Sequence, residues 1–260
     1  KFPVRFFQSN GGLAIGDAMA ARSVYAINSG PASAPQAGLF VAQPFGFKNV
    51  ITVDMGGTSF DITLTKEGRT NINKDYDFLR YLIGVPMIQV ESLGAGGGSI
   101  AWIDRGGFLC VGPQSAGADP GPACYGKGGE EPTVTDAQVV LGRLDADKLL
   151  GGDLPIDPDL AHKAIEKKLA GPLGLSVSDA ALGVIKLINS NMALVIRSNS
   201  VARGVDPREF SLMPFGGAGP LHGVALAEAL SARDVIVPVA PGITAAMGLL
   251  QTDMQYEHAR

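Results

Sequence analysis

Val53-Asp54-Met55-Gly56-Gly57-Thr58-Ser59-Phe60-Asp61-Ile62 is the stretch on which the fold turns. Apolar residues run into an Asp, two glycines, two hydroxyls and a second Asp. Asn49 to Val53 reads as a buried strand, and Ile62 to Thr65 as its alternating return partner. The turn between them is nearly bare backbone, able to aim several N–H groups and the Thr58 and Ser59 hydroxyls at one anion. An ordinary tight hairpin would explain Gly56-Gly57 alone, because glycine is the usual turn residue. The flanking carboxylates argue for more. Asp54 and Asp61 beside a phosphate make sense with a bridging divalent cation, most simply Mg²⁺, or with a water to be oriented. No Gly-Lys-Ser/Thr follows, so this is a hairpin phosphate loop and not the Walker type.

A second glycine corner lies far along the chain. Phe210 to Phe215 reads as a buried strand that runs into Gly216-Gly217-Ala218-Gly219-Pro220, then an alanine-rich helix from Leu221 to Leu230. Glycines there let backbone press flat against a planar ligand, and Pro220 suits a first helical position. The spacing is not that of a dinucleotide-binding loop. His222 has no visible triad or metal partner, so packing is its expected role. Val235 to Pro238 reads as a further buried strand, and Pro241 to Gly248 as a short helix closing beneath a nucleotide.

Composition sets bounds. The 260 residues suffice for one large domain or one and a half smaller ones; 46% are apolar, 18% charged, and the net charge is −4. That balance argues against a nucleic-acid or anionic-membrane surface. No apolar stretch reads as a membrane span. Cys110 and Cys124 have neither metal-ligand spacing nor nearby histidines, which points to a reducing, cytoplasmic setting and structural roles. The chain opens on Lys1 and goes straight into strand-like residues, so it reads as a fragment of a longer polypeptide.

Between the two corners lie further candidates. Pro3 to Phe7 reads as a strand leading to Gln8-Ser9-Asn10-Gly11-Gly12, either a ligand loop with Asn10 or a plain strand-to-helix turn. A short helix over Asp17 to Tyr25 and an alanine-rich one over Ser33 to Gln43 follow. Pro86 to Val90 reads as a strand. Glu91 to Ile100 holds Gly94, Gly96, Gly97 and Gly98, whose entropic cost suggests close approach to a ligand. Val111 to Gly126 reads as a long ordered loop carrying Asp119. Asp136 is either a cap for the helix Ala137 to Leu141 or a ligand contact. Ser176 to Asp179 resembles a capping box before a long helix whose apolar face includes Ala181, Val184, Ile185, Ile188, Met192, Val195 and Ile196. Asn189, Asn191, Arg197 and Asn199 on its other faces read first as solvated.

A hairpin phosphate loop plus a distant strand–Gly-Gly–helix corner resembles the actin-like ATPase superfamily, in which two ribonuclease-H-like lobes clamp ATP. More specifically the chain resembles the hydantoinase A/5-oxoprolinase family. The likeness rests on Gln8 to Gly12, Ser29-Gly30-Pro31, Asp54 to Asp61, Gly94 to Ala101, Val111 to Tyr125, Thr135-Asp136-Ala137 and Phe215 to His222. Phe60 departs from it, where Thr is common. The resemblance implies an α/β fold: an actin-like, ribonuclease-H-like lobe whose mixed sheet is flanked by helices. Residues 1–48 would end a first lobe and connect it, and 49–255 would form the second lobe with an inserted loop region. The family's first phosphate loop, of the type Asp-x-Gly-Gly-Thr, has no copy here, so the fragment alone is expected to be poorly active.

The activity implied is ATP-dependent opening of a cyclic amide such as a hydantoin or 5-oxoproline, by phosphorylation of the amide oxygen. Asp54 and Asp61 would act through Mg²⁺ and its waters, with Asp54 as the metal contact. Gly56, Gly57, Thr58 and Ser59 would hold phosphate oxygens, and Gly216, Gly217 and Ala218 would pack against adenosine. Asn10, Gly96, Gly97, Asp119 and Asp136 are further candidates. A hydantoinase B-type subunit or region is the expected partner. ATP-dependent carboxylation of a ketone, a non-catalytic ATPase switch and an inert scaffold are the competing readings.

Overall fold

The computed structural model of the protein describes residues 3–78, 80–147 and 155–252. The expected lobe boundary at residue 255 lies outside them. The centre is a mixed sheet. Its strands are β1 (Val50–Met55), β2 (Phe60–Lys66), β3 (Glu91–Leu93), β4 (Ser211–Phe215) and β5 (Asp234–Val235). They lie in the order β3-β2-β1-β4-β5, with Arg69–Thr70 also paired to β2. The pairs β1–β2 and β2–β3 are antiparallel, whereas β4 runs parallel to β1 and β5 parallel to β4. Three antiparallel strands followed by two parallel ones is the expected ribonuclease-H-like lobe.

Period-two alternation divides the hairpin between two helical layers. Ile51, Val53 and Met55 of β1, with Phe60, Ile62 and Leu64 of β2, join the largest core cluster. There they meet Val184, Ile185, Ile188 and Met192 of the long helix Val177–Ala202, and Leu226 and Leu230 of the helix Gly223–Leu230. Phe60 is fully buried in that layer, which explains why it departs from a hydroxyl without disturbing the turn. The other face carries Val50, Met213 and Phe215 against Ala34 and Ala42 of α1 (Ala34–Ala42). Gly38 lets α1 close onto Thr52. On this face Thr52 and Thr63 satisfy each other's hydroxyls, and one step further along lie Asp54 and Asp61.

Between β3 and the long helix the chain inserts an antiparallel hairpin (Ser99–Ile103 with Leu109–Ser115), then α2 (Val134–Val140) and α3 (Pro158–Ile165). The long helix is α4 (Val177–Ala202), Gly223–Leu230 is α5, and α6 is Thr244–Leu250.

Several expectations change. The Gln8–Gly12 loop joins two antiparallel strands, Arg5–Phe7 and Leu13–Ile15, and is therefore a hairpin turn, not a strand-to-helix turn. The segment read as irregular from Val111 begins as a strand, Leu109–Ser115. The strand expected over Pro86 to Val90 shrinks to Met87–Ile88, while Glu91–Leu93, read as loop, joins the main sheet. By length and composition α4 is long and apolar enough to cross a membrane, contrary to the sequence reading. Its apolar stripe is nevertheless buried against the sheet, the arrangement of a core helix. Ser176 caps α4 by accepting from the Asp179 N–H at 3.0 Å.

Candidate active site

Asp54 and Asp61 face each other across the β1–β2 hairpin as directly opposed residues. The Gly56 N–H donates to the Ser59 carbonyl at 3.2 Å and closes the turn. Burial, and then the Asp61 charge, push the Asp54 carboxyl up from 3.8 to about 6. Asp61 is better served: Ser92 on β3 donates to its Oδ1 at 2.5 Å and Ser59 to its Oδ2 at 3.3 Å. Two opposed carboxylates, one of them poorly stabilised as an anion, form a site that a divalent cation would relieve. No cluster of three or more His, Cys, Asp or Glu that could hold a metal occurs among the described residues. A cation on this pair would keep most of its shell for water and phosphate oxygens, the usual habit of Mg²⁺.

The diglycine corner meets this hairpin because β4 lies parallel to β1, with Phe215 opposite Asp54. Gly216 leaves the strand at φ +84°, and a Cβ there would overlap the Asp54 Oδ1 and the Met55 carbonyl oxygen. Only glycine fits both the conformation and the space. The Ala218 N–H then donates to the Met55 carbonyl at 2.9 Å. The third glycine loop is latched on from the other side. Gly97 and Gly98 donate to the carbonyls of Gly56 and Gly57 at 3.0 and 2.7 Å. A Cβ on Gly96 would overlap the Gly57–Thr58 peptide. Thr135, at the start of α2, donates through both its N–H (2.7 Å) and its Oγ1 (2.8 Å) to the Gly97 carbonyl.

The three glycine segments and α2 enclose one cavity of about 180 Å³. Gly56, Gly57, Gly97, Gly217 and Ala218 line it with Thr135, and Tyr125, Val134, Leu144 and Leu221 supply apolar walls. Its polar walls are Gln138 and His222. His222 is fully buried at the head of α5; its Nδ1 lies 2.6 Å from the Asn189 Oδ1 and its Nε2 3.3 Å from the Gln138 Nε2. Burial, with the Arg143 charge, pulls the imidazole down from 6.5 to about 4, so it is neutral. Asn189, read as solvated, is thus a second layer behind the cavity. Tyr125, Gln138 and Leu144 were not singled out in the sequence. The cues were the Thr135-Asp136-Ala137 string, which Gln138 directly follows with Thr135 one helical turn before it, and the Val111 to Tyr125 string, which ends on Tyr125.

Of the candidates, Gly56, Gly57, Gly97, Gly217 and Ala218 line the cavity; Asp54, Asp61, Thr58, Ser59, Gly96 and Gly216 sit on the same segments outside its lining, and three more lie elsewhere. Asp136 is fully buried and its carboxylate is spent internally: it accepts from the N–H groups of Ala123 (3.2 Å), Cys124 (2.8 Å) and Thr133 (2.8 Å), and from the Thr133 hydroxyl (2.7 Å). It completes a capping box for α2 and pins the Cys124 loop to it. Asn10 accepts from the Gly12 N–H at 3.0 Å within its own hairpin. Asp119 is exposed in a turn and does not line the cavity. A larger open groove of about 550 Å³, lined by Arg197, Asp206 and Arg208 among others, lies at the opposite ends of the strands and gathers none of the candidate residues.

Comparison with known proteins bears on the family and the fold. The hydantoinase/oxoprolinase family model matches residues 1–258. The caprolactamase subunit alpha of Pseudomonas jessenii is 60% identical over 98% of this chain. The crystal structure of that ATP-dependent caprolactamase superposes with a TM-score of 0.89, again over 98% of this chain and 37% of that one. The acetone carboxylase beta subunit of Xanthobacter autotrophicus is 36% identical over 99% of the chain and 36% of its own length. A nucleotide-free acetone carboxylase structure superposes with a TM-score of 0.86, covering 95% of this chain and 35% of that one. The 5-oxoprolinase 1 of Arabidopsis thaliana is 35% identical over 98% of this chain and 21% of its own length. The chain therefore spans well under half the length of the relatives it matches.

Proposed function

The chain belongs to the hydantoinase/oxoprolinase family, and from that premise we propose that it is part of an ATP-dependent hydrolase that opens a cyclic amide. The observation that carries this is the convergence of the carboxylate-flanked hairpin and the diglycine corner, latched by Gly97 and Gly98, on one cavity. The 60% identity to a caprolactamase subunit supports a lactam as the substrate class.

The mechanism follows from what a lactam needs. Its amide resonance resists attack by water, so the oxygen is first converted into a leaving group. The γ-phosphoryl group of ATP passes to the amide oxygen and ADP departs. Water then adds at the activated carbon, the ring C–N bond breaks with the nitrogen leaving as the amine, and a second water hydrolyses the resulting acyl phosphate to carboxylate and free phosphate. Gly57, Thr58 and Ser59 would hold phosphate oxygens through turn N–H groups and hydroxyls, with Gly56, whose N–H closes the turn, shaping the bend around them. Asp54 and Asp61 would hold Mg²⁺, directly or through water, and when bound the ion neutralises charge on the phosphates. Gly216, Gly217 and Ala218 would carry the nucleoside end. Residues 1–48 would belong to the join with a first lobe and 49–255 to the second lobe. A B-type hydantoinase subunit or region would complete ring opening; the relatives' names as alpha and beta subunits support a partner.

The acetone carboxylase likeness favours one second reading, in which the same phosphoryl transfer activates a ketone enol and bicarbonate. Phosphate release by the full-length protein with its partner, measured against lactams, hydantoins, 5-oxoproline and ketones plus bicarbonate, separates the two. Stimulation by cyclic amides is expected. Stimulation only by ketone with bicarbonate would replace the first reading with the second, and stimulation by none would leave a switch or scaffold.

A further inference from the structure

The cavity holds an acceptor that no described residue satisfies. Gln138 is 2% exposed, and its Oε1 is buried with no hydrogen-bond partner among the described residues. Leaving such an atom unpaired is costly, so a buried orphan on a cavity wall is a ligand contact in waiting. Its direction is set from behind. The His222 Nδ1–H donates to the Asn189 Oδ1, which leaves the Nε2 lone pair facing Gln138. The Gln138 Nε2 donates to that lone pair, so the amide cannot turn over without setting carbonyl against lone pair. A neutral imidazole is required for this, and burial keeps His222 neutral. The relay Asn189–His222–Gln138 therefore presents a fixed carbonyl oxygen to the cavity.

The cavity's other walls describe what arrives there. Among the described residues, no Asp, Glu, Lys or Arg lines it. Asp54 and Asp61 project from the opposite face of the sheet, so the charged end of a nucleotide belongs across the Gly56–Gly57 turn. About 180 Å³ is below the roughly 300–1,000 Å³ of pockets that take a whole ligand. It suits one flat, uncharged end of a nucleotide resting on Gly217 and Ala218. We infer that Gln138 reads the exocyclic amine of adenine and so selects ATP over purine nucleotides with a carbonyl at that ring position. This rests on the proposed ATP site. A 6-oxo purine would set carbonyl against carbonyl, and a site built around one hydrogen bond discriminates strongly against the analogue lacking it.

The test is calorimetric binding of ATP, ITP (carbonyl in place of the amine) and purine riboside triphosphate (hydrogen in its place) to the full-length protein with Mg²⁺. The wild type should bind ATP about tenfold or more tightly than either analogue, the scale of one buried unpaired acceptor. Gln138→Met, which removes the acceptor, should bring the three within about threefold. Gln138→Asn, which withdraws it by one methylene, should act in the same direction and serves if the Met variant is poorly folded. The ratio is the readout because a merely structural defect weakens all three alike. Ratios unmoved in both variants would overturn the role of Gln138. A wild type indifferent to the base would overturn base reading while leaving the ATP site in place. Binding of none of the three would remove the ATP site itself.

Discussion

At the residue scale the decisive group is Asp54. Its carboxyl is raised to about 6 by burial and by Asp61, so an ionised Asp54 is held at a cost until something positive shares the pair. The free enzyme should therefore lose kcat/KM for ATP as pH falls through about 6, a limb that moves to lower pH as Mg²⁺ is raised. The stability sign runs the other way. A carboxyl whose folded pKa exceeds its unfolded value of 3.8 favours the folded state at low pH, and that benefit is lost as pH rises to about 6. Asp54→Asn escapes the loss. It should cut turnover by roughly 100-fold or more, yet gain stability relative to the wild type between those pH values, read by thermal unfolding at pH 4 and pH 7. A variant with unchanged turnover would remove Asp54 from the chemistry. Cys124 shows the contrast: burial and Asp136 push its thiol up, away from the reactive thiolate, as a structural cysteine requires.

At the scale of elements, the hairpin and the diglycine corner were legible because their chemistry is written within ten residues each. The apolar run of Asn49 to Val53 and the alternation of Ile62 to Thr65 set the strands, and the glycines marked the turn between them. Glu91–Leu93 was not legible: a three-residue strand has no hydrophobic run of its own and exists because β2 offers it an edge. Leu109–Ser115 was hidden by Gly112 and Pro113, which ordinarily mark a break. Asp136 shows how composition misleads, since a carboxylate near glycine loops reads as a ligand contact while the fold spends it on the cap of α2 and on the Ala123 and Cys124 N–H groups. Asp136→Ala should cost about 3 kcal/mol or more by orphaning buried donors, lowering the melting temperature well beyond any change in the KM for ATP of the folded fraction. Gly96→Ala attacks the latch instead. Its methyl group would wedge Gly57 from the 94–98 loop at about 1–3 kcal/mol, and should weaken ATP binding along with stability. Equal ATP affinity in that variant would separate the latch from the site.

At the scale of the molecule, the relay Gln138–His222–Asn189 was beyond sequence reading because α2, α5 and α4 contribute one member each and only the packed core brings them together. The same packing makes a collective prediction. The turn N–H groups of residues 56–58, 97–98 and 218 sit on three segments distant in sequence, the second and third each bonded to the hairpin that carries the first. A nucleotide held among them must protect all three at once, since tightening one latch tightens its partners. Hydrogen exchange on the full-length protein should show ATP with Mg²⁺ slowing these amides and that of Thr135 together. The amides around Gly204 to Arg208, in the open groove at the other ends of the strands, should be unchanged. Protection confined to the hairpin would mean that the nucleotide ignores the diglycine corner. Protection centred on Gly204 to Arg208 would move the site to the opposite edge of the sheet, and the mechanism with it.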